Sequence, residues 1–212
     1  MRSWRAAMLV GGMLIAPAAT GAAAAAVPVR DPDWPCGQIK VASLTPAAMW
    51  NGPSAAAYAK IWSQDPQVAA LVSRLVQRRL PLDQAKAEIA TFASAATDRR
   101  AALLTLFAGL FEVLNTERSA VQAGLDRFGR RQKQMAEDLR TEMEALHAAQ
   151  DAGKPEDEVS QMVNKLTWDT RVFEQRRQMV STACDVPNVI EERLFALTRL
   201  IQDALGPQAS GQ

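Results

Sequence analysis

Histidine and cysteine are nearly missing from this chain, with one His and two Cys in 212 residues. A metal centre needs three or four convergent ligands, so no cofactor or metal is expected. His147, with Glu144 nearby, falls far short of such a set. A Ser-His-Asp grouping would have to use that one histidine, and neither a G-x-S-x-G turn nor a Gly-rich phosphate loop occurs. Neither cysteine belongs to a C-x-x-C or C-x-x-C-H motif, which excludes a dithiol redox catalyst and covalently attached haem. Charge of one sign is lacking too. The 24 Lys+Arg balance 23 Asp+Glu for a net +1, whereas a nucleic-acid binder carries a clear basic excess. Alternating β-branched runs bounded by turn residues are also absent. The composition points to a helical, non-enzymatic protein that does not bind nucleic acid.

The N-terminus has the grammar of a sorting signal. Arg2 and Arg5 precede an uncharged stretch from Ala6 to Ala16, then Pro17 and small residues up to Ala26. A positive start, a short apolar core and an A-x-A site make a secretory signal peptide over residues 1–26, cleaved near Ala24 or Ala26. Its strongest apolar part is about 11 residues, against the roughly 20 that span a bilayer; retention as an anchor is the alternative. Cleavage leaves 186 of the 212 residues, and the loss of Arg2 and Arg5 takes the net charge to −1. The expected location is periplasmic or secreted. In such an oxidising compartment Cys36 and Cys184, 148 positions apart, are expected to form one disulfide. Closing that loop is worth roughly 4–5 kcal/mol in the chain-entropy account.

Residues 27–53 form a Pro- and Trp-rich segment, with Pro28, Pro32 and Pro35 favouring extended backbone. A short helical turn is expected between Pro46 and Pro53. Helices are then predicted over Ser54–Ser63, Gln67–Leu80 and Leu82–Ala95. From Asp98 or Arg99 the helical pattern continues to about Gln150, some 78 Å at 1.5 Å per residue. Gly153 and Pro155 mark a stop and a new start. A second long helix should end before Cys184-Asp-Val-Pro187, followed by a final helix over Asn188–Leu205. Residues 206–212 are expected to be a flexible tail.

Two long helices joined by a short turn imply an antiparallel hairpin. Val121, Leu125, Phe128, Met135, Leu139 and Leu146 fall on alternating three- and four-residue steps, with Gln132 and Glu142 in the remaining seam positions. Val159, Met162, Leu166, Phe173 and Val180 answer them, interrupted by Asp169 and Arg176. Counting from a turn near Gly153 places Gln132 roughly opposite Phe173 to Arg176. Residues 101–114 are apolar on nearly every side, which requires helices all round them. The expected fold is thus all-α. A compact helical base (residues 54–120 and 180–205) carries a long antiparallel coiled-coil-like helical hairpin (about 121–179).

Candidate partner contacts lie on the hairpin and the N-terminal segment. Arg127, Arg130, Arg131 and Lys133 form the densest positive cluster, and Arg171, Arg176 and Arg177 should lie beside it. Lipid headgroups, a cell-wall polymer or an acidic protein face would suit the cluster. Local pairing of Lys133 with Glu137 and of Arg177 with Glu174 is the simpler account. Trp34, Trp50 and Trp62 are expected to cap the helical base, with an exposed docking strand as the alternative for Trp34. Gly109 suggests close helix approach, and Gly124–Gly129 a bend.

The leading expectation is an exported adaptor, assembly factor or chaperone that binds an unidentified envelope protein. One alternative is an anion-binding protein or arginine-site enzyme, with Arg74, Arg78, Arg99, Arg100 and Arg118 converging on a pocket in the base. Another is a structural spacer that forms a homodimer.

Overall fold

The computed structural model describes residues 31–206; the signal segment expected at 1–26 and the tail from 207 onward lie outside the described residues. The order of helices is α1 (Pro46–Met49), α2 (Pro66–Leu75), α3 (Leu82–Ala95), α4 (Arg99–Asp151) and α5 (Glu156–Leu205), with two single 3-10 turns at Ala56–Tyr58 and Trp62–Gln64. No β-strand occurs among the described residues. The chain is an all-α helical hairpin, built from α4 and α5.

Helix α4 has 53 residues, about 80 Å of rise. Asp98 caps its start, its side chain accepting from the Ala101 N–H at 2.9 Å. Its end is a Schellman turn: Gly153 takes φ 62°, its N–H reaches the Gln150 carbonyl, and the Lys154 N–H reaches the Ala149 carbonyl. Pro155 then leads into α5, whose first turn carries Glu156, Asp157 and Glu158 against the helix dipole. The expected helix boundaries at this turn are found.

The break expected at Pro187 is not. Helix α5 runs on to Leu205 with Pro187 buried inside it. Proline deprives the Ala183 carbonyl of its usual donor, a loss of about 3 kcal/mol in an isolated helix. Tertiary anchoring on both sides outweighs that loss. Cys184 is bonded to Cys36, and Ile190, Leu194 and Leu197 are in the core. Two further boundaries are corrected. Residues 54–63 form only the isolated 3-10 turns, because a stretch this short between Pro53 and Pro66 gains less from helix than from seating Trp62 on α4. Helix α2 stops at Leu75 rather than Leu80, where the buried Arg193 guanidinium takes the Leu75 carbonyl.

The base core gathers around α4. Leu103, Leu106, Phe107, Leu110 and Leu114 meet Val68, Leu71 and Leu75 of α2, Ile89 of α3, and Leu194, Leu197 and Ile201 of α5. Gly109 permits a close contact; a Cβ there would lie 2.8 Å from both the Trp62 ring and the Val72 methyl. Arg193 is 8% exposed, donating to the Leu75 carbonyl at 2.7 and 3.1 Å and to Leu80 at 2.8 Å. Burial pulls its pKa below the usual arginine value.

Beyond the base the two helices continue as a pair. Every apolar seam position predicted for both arms is buried or half-buried. Gln132 donates to the Phe173 carbonyl at 3.4 Å, within the register expected for it. Of the polar positions, Arg176 departs from the seam and stands exposed.

Candidate functional site

The N-terminal segment is a strap rather than a cap on the base alone. It runs antiparallel to α4 down the neck of the hairpin, from Gly129 at its start to Phe107 near its end. Cys36 is bonded to Cys184, with Cα atoms 5.6 Å apart. Gln38 donates through Nε2 to the Cys184 carbonyl, within the turn of α5 that Pro187 disturbs. The Val41 carbonyl accepts from Arg118 Nη2 at 2.6 Å and from Gln122 Nε2 at 3.0 Å. Gly129 is where the backbone of the strap comes closest, since a Cβ there would overlap the Asp33 carbonyl. The bend expected at Gly124–Gly129 is therefore a contact at Gly129, with α4 continuous through both glycines.

Electrostatics fix the upper strap. Lys40 Nζ lies 2.8 Å from Asp126 and 2.6 Å from Asp31, which raises its pKa, Asp126 contributing most. The Lys40 ammonium and the Asp33 N–H in turn hold the Asp31 carboxyl below its ordinary 3.8. Asp33 bridges Lys133 at 3.0 Å and Arg130 at 3.3 Å, and those two cations, Lys133 foremost, lower its pKa as well. Half of the basic cluster is thus engaged by the chain's own strap. Lys133 pairs with Asp33 instead of Glu137, which turns to Arg140. Arg177 pairs with Glu174 as expected. Arg127, Arg131 and Arg171 are exposed and form no ion pair among the described residues. Trp34 is half-buried, with Nε1 donating to the Gln38 carbonyl at 2.8 Å and Lys40 5.6 Å from its ring centre.

The five arginines considered for an anion pocket do not converge. Arg74 pairs with Glu88, Arg78 lies 3.9 Å from Glu117, Arg99 donates to the Ala204 carbonyl, and Arg100 is exposed. Arg118 alone is enclosed, at 1% exposed, and its three nitrogens are committed to Glu191, Gln122 and the Val41 carbonyl. It ties α4, α5 and the strap together.

Two surfaces were missed by reasoning from the sequence. The outer face of the arm carries Trp168, 62% exposed, and Met179, 70% exposed, with Met143 and Val163 also open. Trp168 lies outside every seam position, and a tryptophan off the seam of a helix pair is the sequence signal for this face. The second surface is a cavity of about 660 Å³ between residues 45–59 and α4, walled by Trp50, Phe107, Phe111 and Ala108. Trp50 stacks on Phe107 with ring centres 4.3 Å apart and donates to the Pro53 carbonyl at 2.6 Å.

Among the described residues no group of three or more His, Cys, Asp or Glu is placed to hold a metal, and no helix is long and apolar enough to cross a membrane. Comparison with family models, curated proteins and solved structures gave no match.

Proposed function

We propose that this is an exported, non-enzymatic protein that binds another envelope protein through the arm of its hairpin, as adaptor, assembly factor or chaperone. The observation that carries this reading is the exposure of Trp168 and Met179 on a helix pair that needs neither for its own seam. The two are eleven residues apart, three helical turns, so they share one face with Val172 and Gln175 between them. Aromatic and methionine side chains are over-represented in the cores of protein interfaces. Arg171, one turn from Trp168, and Arg127 and Arg131, near the level of Met179 and Gln175, add unpaired positive charge to the same stretch. An apolar partner surface with an acidic rim fits that combination. Export follows from the signal-like residues 1–26 and is supported by the Cys36–Cys184 disulfide.

The test is affinity capture of the protein from its own envelope extract, comparing the native chain with Trp168→Ala/Met179→Ser and with Arg127→Glu/Arg131→Glu. A stoichiometric partner lost from the first pair and weakened in the second is the expected result. A partner retained by both pairs overturns the arm as the interface. Concentration-dependent dimers with no other partner would assign the chain to the spacer class instead.

A further inference from the structure

The cavity beside Trp50 lies outside the arm and asks for a different kind of ligand. Its volume of about 660 Å³ is within the usual range for small-molecule sites, roughly 300–1,000 Å³. Its walls are set before anything binds. Phe107 stacks on the Trp50 indole, the Pro53 carbonyl holds Nε1, and Gly52 presses so closely that a Cβ there would lie 2.5 Å from the ring.

The polar lining is neutral except at one residue, with Thr45, Ser54, Asn115 and Thr116 as its uncharged members. Glu112 is the one charged residue lining the cavity. Its Oε2 accepts from Trp62 Nε1 at 2.8 Å, which orients the carboxylate and leaves Oε1 available. Asn115, one turn further along α4, has a buried Oδ1 without a hydrogen-bond partner. No lysine or arginine lines the cavity, so an anion would meet a carboxylate and no counter-charge. A cation would meet Glu112 beside the aromatic wall of Trp50 and Phe111, whose rings attract positive charge through their quadrupoles.

We propose that this cavity binds a small apolar cation, an amine or ammonium carried on an aromatic or aliphatic body. The ammonium lies at Glu112 and the apolar body against the wall that the stacked Trp50–Phe107 pair and Phe111 form. The reading is independent of the arm, since none of the residues involved belongs to it.

Calorimetric titration of the purified protein with a matched pair of tricyclic probes tests the assignment. 9-Aminoacridine is a cation at pH 7, and anthracene-9-carboxylate is an anion of nearly the same shape. One molecule of 9-aminoacridine should bind per chain, at least about tenfold more tightly than the anion. Glu112→Gln keeps an acceptor for Trp62 and removes the charge; it should lower that preference about tenfold, the scale of a charged hydrogen bond. Ala59→Trp, at an exposed lining position, should abolish binding, and Ala56→Trp repeats the block if the first variant fails to fold. Equal binding of both probes, a preference that survives Glu112→Gln, or unchanged affinity after the mouth is filled would each overturn the proposal. So would preference for the anion. Failure of both probes would overturn it as well, leaving the cavity to a segment of a partner or of this chain.

Discussion

Leu110 and Leu139 are the same residue on the same helix, 29 positions apart, and differ only in what surrounds them. Leu110 is 1% exposed, enclosed by helices from several directions; Leu139 is half-buried, facing one partner helix. The base is therefore held by burial in layers, and the arm by a single seam. What lies between them, the neck, has the seam and a further support. There the strap adds a third segment to the helix pair, bringing a disulfide, contacts to a buried arginine and a set of ion pairs. Three ways of stabilising α-helices follow one another along a single rod.

The contrast is broken most severely by Phe107→Ala. It removes a fully enclosed ring together with the Trp50 stack and should cost about 4 kcal/mol in urea unfolding. Leu139→Ala in the arm should cost only about 1–2 kcal/mol, since most of the cavity it leaves is already open to water. Equal losses at the two sites would show that the arm is as enclosed as the base, by self-association for example. Replacing both cysteines by serine should cost about 2–4 kcal/mol. Hydrogen exchange should then rise in residues 31–44 and the neck of α5 and stay unchanged in α2 and α3. Gly129→Ala sharpens the role of the strap through its sign. In the native chain the new methyl displaces Asp33, and the variant should be less stable by about 1 kcal/mol. In the Cys36→Ser/Cys184→Ser background a released strap no longer meets the methyl, and helix propensity should make the same change stabilising by up to about 1 kcal/mol.

The smallest effect is one of pH. Asp31 and Asp33 have carboxyls held below their ordinary 3.8, so their pairing is fully present above that value and is lost as pH falls through the lowered ones. Protection of residues 31–40, taken relative to intrinsic exchange at each pH, should fall below about pH 4 while the base keeps its own. A strap equally protected at pH 7 and pH 3 would show that the disulfide alone holds it.

How much of this was legible in the sequence follows from the same division. The seam could be read residue by residue, because a two-helix interface obeys a local period and Gly153 sets its register. The disulfide was legible from two cysteines behind a signal-like N-terminal sequence. The layers of the base were legible from the apolar run at 101–114, but not the boundaries of what packs there. Arg193 meets the end of α2 from 118 positions away, and Pro187 is tolerated because Cys36 and the core grip both sides of it. These are non-local facts, and period counting sees only neighbours. The strap electrostatics failed for the same reason: Lys133 had Glu137 four residues on, yet Asp33 reached it across 100 positions. The cavity left no motif, since Trp50 and Phe107 read equally well as core.

The disulfide also makes the molecule a ring. From Cys36 to Cys184 the backbone is closed on itself, with the whole arm and its turn at Ala152–Lys154 inside the circle. A protease that cuts the chain at that turn opens the ring without separating the pieces. The nicked protein would migrate as one species on a non-reducing gel and as two after reduction. In a protease-rich compartment, the exposed tip could be cleaved while the base, the neck and the arm's two halves stayed joined by one covalent link.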